Sequence, residues 1–207
     1  METLLRKASS LVRYEQYRPQ MKNGDVIAFS GRGLLSNIIK LGTLSPYSHV
    51  GIVLNVEMSG GFGQSVLMIE STAQVELRDA DNKEVIKGVQ IHWLSKRLEM
   101  YEGKVWWVPL KDPLPPDGLA KMQTWMRETH NQKVGFDEAQ MWWAGLDLFD
   151  RFGLENEPDF SLFFCSEFVT KSLQEAGVIA PEINPSEQTP KDVVNFPILG
   201  QPVLLKT

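Results

Sequence analysis

Phe163-Phe164-Cys165-Ser166-Glu167-Phe168-Val169 holds the only cysteine of the 207-residue chain and opens an apolar-periodic segment. Apolar residues recur at Phe164, Phe168, Val169, Leu173 and Ala176, the spacing of one helix face, and Gly177 supplies a C-terminal stop. The pattern predicts a helix ending near Gly177 with Cys165 in its first turn. In that position unpaired backbone N–H groups and the helix dipole favour a thiolate. A lone cysteine between phenylalanines also fits a small buried hydrophobe. Its role therefore depends on what the chain sets against this helix.

Composition narrows the field. A chain of 207 residues with 43% apolar residues suits a single domain spanning 1–207 with a real core. A formal net charge of −5 with no basic face argues against nucleic-acid binding. One cysteine excludes an intramolecular disulfide, and three scattered histidines beside it make a zinc site unexpected. No metal or cofactor is expected. Met1 to Gln20 lacks a continuous apolar core and a small-residue cleavage pattern, so it does not read as a signal peptide. No segment has the length of a membrane span. The expectation is a cytoplasmic protein, with delivery by a non-classical route still open.

Along the chain, residues 2–17 read as an amphipathic helix. Asn23-Gly24-Asp25 is a turn before the short strand Val26 to Phe29, and Leu34 to Leu41 suits a short helix. His49 to Val56 and Ser65 to Glu70 are β-rich runs around a Gly/Ser tip, hence a hairpin. A hairpin centred on Ser59/Gly60 sets His49 directly across from Glu70, with the side chains about 4.5–5.5 Å apart at Cβ on one face. Gly51 follows on that face and leaves room for another element to approach.

Beyond the hairpin, strands are predicted at Gln74 to Arg78, Val89 to His92 and Lys104 to Leu110, with a charged turn at Asp79 to Glu84. Helices are predicted over Leu94 to Tyr101 and Asp117 to Thr129, the latter with Leu119, Met122, Trp125 and Met126 inward. The aromatic stretch 136–152 reads as one or two helices over the core or along a groove, and Ile198 to Leu205 as a last strand.

A cysteine nucleophile needs a base or imidazolium partner, and that partner needs a third polar group to hold it. Cys165, His49 and Glu70 fit that pattern if a helix packs on the His49/Glu70 face. His92 and His130 read as structural, and Glu167 is expected to pair with a surface base or cap backbone groups.

The blocks Asn23-Gly24-Asp25-Val26-Ile27, Tyr47-Ser48-His49-Val50-Gly51-Ile52-Val53 and Phe164-Cys165-Ser166-Glu167-Phe168-Val169 resemble the signatures of circularly permuted NlpC/P60 (YiiX-like) cysteine hydrolases. In that papain-like branch the order is histidine, polar residue, cysteine, as in His49, Glu70 and Cys165. The resemblance spans about residues 22–177, with 1–20 an N-terminal helix and 178–207 a C-terminal segment. It implies an α+β, permuted papain-like fold. An antiparallel, partly barrel-like sheet would carry the cysteine helix packed against it, with further helices at the periphery.

The resemblance further implies Cys165 as nucleophile, His49 as base, Glu70 as orienting group and Tyr47 as a substrate-binding wall. The substrate would be a peptide or acyl amide, with cell-wall peptides first. Gly135-Phe136-Asp137 resembles a block that usually carries Tyr-Asp, and the Phe here lacks the hydroxyl. Two alternatives stand beside the amidase or peptidase. One is lipid acyl transfer or thioester hydrolysis of the lecithin:retinol acyltransferase-like type, and the other is a non-catalytic binding module.

Overall fold

The computed structural model describes residues 13–31, 40–41, 43–57, 64–72, 76–85, 87–132 and 161–207. Most of the expected 2–17 and 34–41 helices, the hairpin tip 58–63, the Gly135-Phe136-Asp137 block and the aromatic stretch 136–152 lie outside them. Strands β1 (Val26–Gly31), β2 (His49–Glu57), β3 (Gln64–Thr72) and β4 (Gly88–Trp93) lead into helix α1 (Leu94–Met100) and strand β5 (Gly103–Val108). Helices α2 (Pro116–Asn131), α3 (Ser161–Glu175) and α4 (Pro190–Val194) precede β6 (Val203–Lys206).

The six strands form one antiparallel sheet in the order β4-β3-β2-β1-β5-β6. The sheet is open: β4 and β6 are its two edges and do not pair with each other, so the expected partial barrel is not closed. In the described part of the strand expected at 74–78, Glu76 and Leu77 form bends and Arg78 is irregular. The last strand starts at Val203, and Leu199 makes only an isolated bridge to Leu110.

Alternation along the strands sorts the core into two layers. Val26, Ala28, Val50, Ile52, Ile69 and Ile91 face Met122 and Met126 of α2 and Cys165, Phe168, Val169 and Leu173 of α3. Ile27, Phe29, Val53, Met68 and Val105 face Leu94 and Leu98 of α1, together with Tyr14 and Met21. The Cys165 helix ends as its sequence requires. Gly177 adopts φ +72°, and the N–H groups of Gly177 and Val178 donate to the carbonyls of Gln174 and Leu173 at 2.8 and 3.2 Å. This is a Schellman closure that a residue with a Cβ adopts only with strain.

Asp25 fixes the other end of the sheet. Its buried carboxylate accepts from the Lys22 and Leu110 N–H groups at 2.8 Å and from Trp107 Nε1 at 2.7 Å. These bonds tie the Asn-Gly-Asp turn to the end of β5.

The β2–β3 register pairs Ile52 with Ile69 and Val53 with Met68. Continued toward the start of β2, this pairing sets Gly51, not His49, opposite Glu70. The hairpin is therefore offset by two residues from the tip-centred expectation, an even slip that leaves His49 and Glu70 on one face. Gly51 makes room for the neighbouring strand rather than for another element. A Cβ there would lie 3.1 Å from both Glu70 Cβ and the Ile69 carbonyl, and closer still to the end of Met68. Gly51→Val is accordingly expected to cost about 1–3 kcal/mol through overpacking, read as a lower urea midpoint at unchanged slope.

Candidate functional site

His49 is the first residue of β2, so its ring stands at an end of the sheet. It packs against Phe29 with ring centroids 5.4 Å apart and is 8% exposed. The ring takes part in side-chain hydrogen bonds with both Glu70 and Cys165. Nε2 lies 2.5 Å from Glu70 Oε2. An ionised carboxylate only accepts, so Nε2–H is the donor there, and Nδ1 is left for Cys165. The three expected residues are thus brought together.

The expected route to this arrangement was different. Cys165 belongs to the core layer of Val50, Ile52 and Ile69, so its helix packs on the face opposite to Glu70. Cysteine and carboxylate meet the histidine from opposite sides of the sheet, at its end. The helix on the Glu70 face is α1. Its Arg97, 5% exposed, donates from Nε to Glu70 Oε1 at 2.7 Å and from Nη2 to Oε2 at 3.3 Å. The guanidinium lies over the rings of Phe29 and Tyr101 at 5.0 and 5.1 Å.

Cys165 is the fifth residue of α3, not one of its first turn. Helical geometry then gives its N–H the Ser161 carbonyl as acceptor. Its N–H is therefore not one of the unpaired first-turn groups expected to favour a thiolate.

Electrostatics at this cluster are dominated by burial and by charge pairing that opposes it. Burial disfavours imidazolium, yet charge interaction and hydrogen bonding with Cys165, then Glu70, outweigh it and raise His49 from 6.5 to about 9. Glu70 has no exposed surface, which raises a carboxyl. The Arg97 charge and the His49 hydrogen bond overcome this and hold Glu70 well below its usual range. His92 lies 3.7 Å from Glu70 Oε1, but its Nε2 is 2.9 Å from Gln90 Oε1, and burial lowers its pKa. We read it as a neutral neighbour rather than a third ion.

Tyr47 is half-buried, packs on the Cys165 layer and stands edge-on to Trp106 at 5.2 Å. His130 is a structural group: its Nε2 lies 2.9 Å from Asp79 Oδ2, and Asp79 also accepts from Ile91, Asp81 and Asn82 N–H. Glu167 departs from expectation. Among the described residues its buried Oε2 has no hydrogen-bond partner, and burial raises its pKa to about 7.

Arg97 and Tyr101 were not picked out from the sequence. The signal was present: Leu94, Arg97, Leu98 and Tyr101 share one helix face at i, i+3, i+4 and i+7. An arginine on an apolar stripe needs a buried partner.

Two stability effects follow. Glu70→Ala leaves Arg97 buried without its counter-ion and is expected to cost about 3–5 kcal/mol by urea unfolding. Glu70 is depressed in the fold, so its contribution is complete above the ordinary value of 4.5 and disappears as pH falls below it. His49 is raised, so its contribution is complete below 6.5 and is lost as pH climbs to about 9. Unfolding free energy measured across pH should therefore decline on both flanks, and His49→Gln should flatten the alkaline one.

Neither a family model nor a curated protein matches the chain. Among solved structures, the crystal structure of metalloprotein YiiX (DUF1105) from Escherichia coli O157:H7 is similar to 89% of this chain and 97% of its own. The TM-score is 0.54 at 19% sequence identity. Similarity at that identity is a matter of fold, and the chain has a YiiX-like α+β fold.

Proposed function

We propose that this protein is a cysteine hydrolase that cleaves an amide bond through an acyl-enzyme, with Cys165 as nucleophile, His49 as proton carrier and Glu70 as orienting carboxylate. The observation that carries the reading is the His49 ring, bonded to Glu70 through Nε2 and to Cys165 at its other side. A cysteine nucleophile needs that three-part order.

In the proposed cycle the proton shared by Cys165 and His49 rests on the ring, and the sulfur attacks the carbonyl carbon of the substrate. The imidazolium then protonates the departing amine as the C–N bond breaks, leaving a thioester on Cys165. His49 next takes a proton from water as the water oxygen attacks the thioester. The acid is released as the C–S bond breaks, and the proton stays on His49. Glu70, ionised throughout, holds Nε2–H and stabilises the imidazolium. Tyr47 walls the substrate.

The resemblance to circularly permuted NlpC/P60 enzymes favours a peptide substrate, with peptidoglycan-type peptides first. The YiiX structure is that of a metalloprotein. Among the described residues of this chain, no group of three or more His, Cys, Asp and Glu is placed to hold a metal ion. The cycle is written through the side chains alone. Among them, too, no helix is long and apolar enough to cross a membrane.

A second reading has its own observation. Cys165 has no exposed surface and sits in the apolar core, as a structural cysteine would. On that reading the fold is a binding module, and the polar cluster only fixes the sheet end. Turnover on the first reading requires local opening at Cys165.

Peptidoglycan-derived peptides, acyl-thioesters and phospholipids, offered in parallel, separate the readings. Release of a new amine from the peptides supports the amidase. Turnover confined to thioesters or phospholipids supports acyl transfer or thioester hydrolysis. Cys165→Ala and His49→Ala should each lower the active reaction by about three orders of magnitude. Turnover that survives both substitutions, or none on any substrate, sinks the catalytic reading.

A further inference from the structure

We propose that Arg97 is a positioning residue of the Cys165–His49–Glu70 site. Its guanidinium pins both oxygens of the Glu70 carboxylate, so Glu70 orients His49 purely as an acceptor and the proton stays on the ring. This rests on the catalytic reading of the site given above and extends it by one residue.

The geometry of the contact is the argument. Glu70 Oε2 is shared between His49 Nε2 at 2.5 Å and Arg97 Nη2 at 3.3 Å, while Oε1 takes Arg97 Nε at 2.7 Å. A carboxylate facing imidazolium alone in a dry site competes for the proton, and the pair titrates as one unit. A second, permanent cation on the same carboxylate removes that competition, because guanidinium does not give up its own proton. Lysine cannot reproduce the fork that meets two oxygens at once.

The mount is rigid. Arg97 rests against the edge-to-face pair of rings Phe29 and Tyr101, on a helix whose Leu94 and Leu98 are fully buried. The groups around Glu70 are His49 from β2, Gln90 and His92 from β4, Arg97 and Tyr101 from α1 and its end, and Cys165 through His49. Of these, Arg97 alone carries a fixed positive charge. Alternating charge then runs Arg97, Glu70, His49 across the end of the sheet.

The carboxyl carbon signal of Glu70, assigned by its loss in Glu70→Gln, is followed by NMR against pH in the full chain, in Arg97→Met and in Arg97→Lys. In the parent chain Glu70 should stay ionised well below its ordinary value of 4.5. Arg97→Met should raise the midpoint by at least about one pH unit, and Arg97→Lys should lie between the two. A residue that only packs would change thermal stability and leave the midpoint in place.

A parent midpoint at or above 4.5, or no shift in Arg97→Met, overturns the proposal. If Arg97→Met does not fold, the parent midpoint together with a raised midpoint in Arg97→Lys decides in its favour, and a parent-like Arg97→Lys midpoint decides against it. The titration needs no substrate. An inactive protein with the expected shifts would refute the catalytic reading while leaving the hold of Arg97 on Glu70 intact.

Discussion

The rest of the site depends on one buried carboxylate. Glu70 has no exposed surface, and a lone carboxylate taken out of water costs several kcal/mol. Only full pairing makes that burial tolerable. Glu70 receives a bidentate arginine from one helix and an imidazole from the adjacent strand, and its two oxygens are spent on them. Everything nearby is shaped by that demand. Gly51 has no side chain because Glu70 and Met68 occupy the space beside it. The rings of Phe29 and Tyr101, packed edge to face, support the guanidinium that balances the charge.

The open sheet explains how residues on opposite faces come to share one site. Cys165 belongs to the layer under α2 and α3, and Glu70 to the layer under α1. Deep in the sheet they would be separated by a strand's thickness. At the first residue of β2 no further strand residue intervenes, and His49 is bonded to both. A histidine displaced by one position would point to the other face and lose Glu70. The arrangement is as sensitive to register as a core.

Much of this was legible in the sequence because the signals were local. The hairpin runs, the α1 and α2 periodicities and the Gly177 stop each follow from spacing within one element. The pairing of His49 with Glu70 was legible only by parity. The tip fixes which face a side chain takes, while the true register is two residues away because tip length is not readable from composition. The face on which Cys165 packs was not readable, since periodicity reveals an apolar stripe but not the sheet face it meets. Arg97 was visible as a charge on an apolar stripe, but its partner lies 27 residues away on another strand. The Asp25 hub was hidden for the same reason: within its turn, nothing shows that Trp107 and Leu110 will close on it.

The central claim is that Cys165 helps to hold the proton on the His49 ring, and burial of the sulfur means that reagents are poor reporters of it. The ring nitrogens of His49 report it directly. Their pH titration by NMR should show imidazolium persisting to about pH 9 in the parent chain. In Cys165→Ala, with Glu70 and Arg97 in place, the proton should leave at a distinctly lower pH. An identical midpoint in the two proteins would mean that His49 answers to Glu70 alone, and that Cys165 is a core residue.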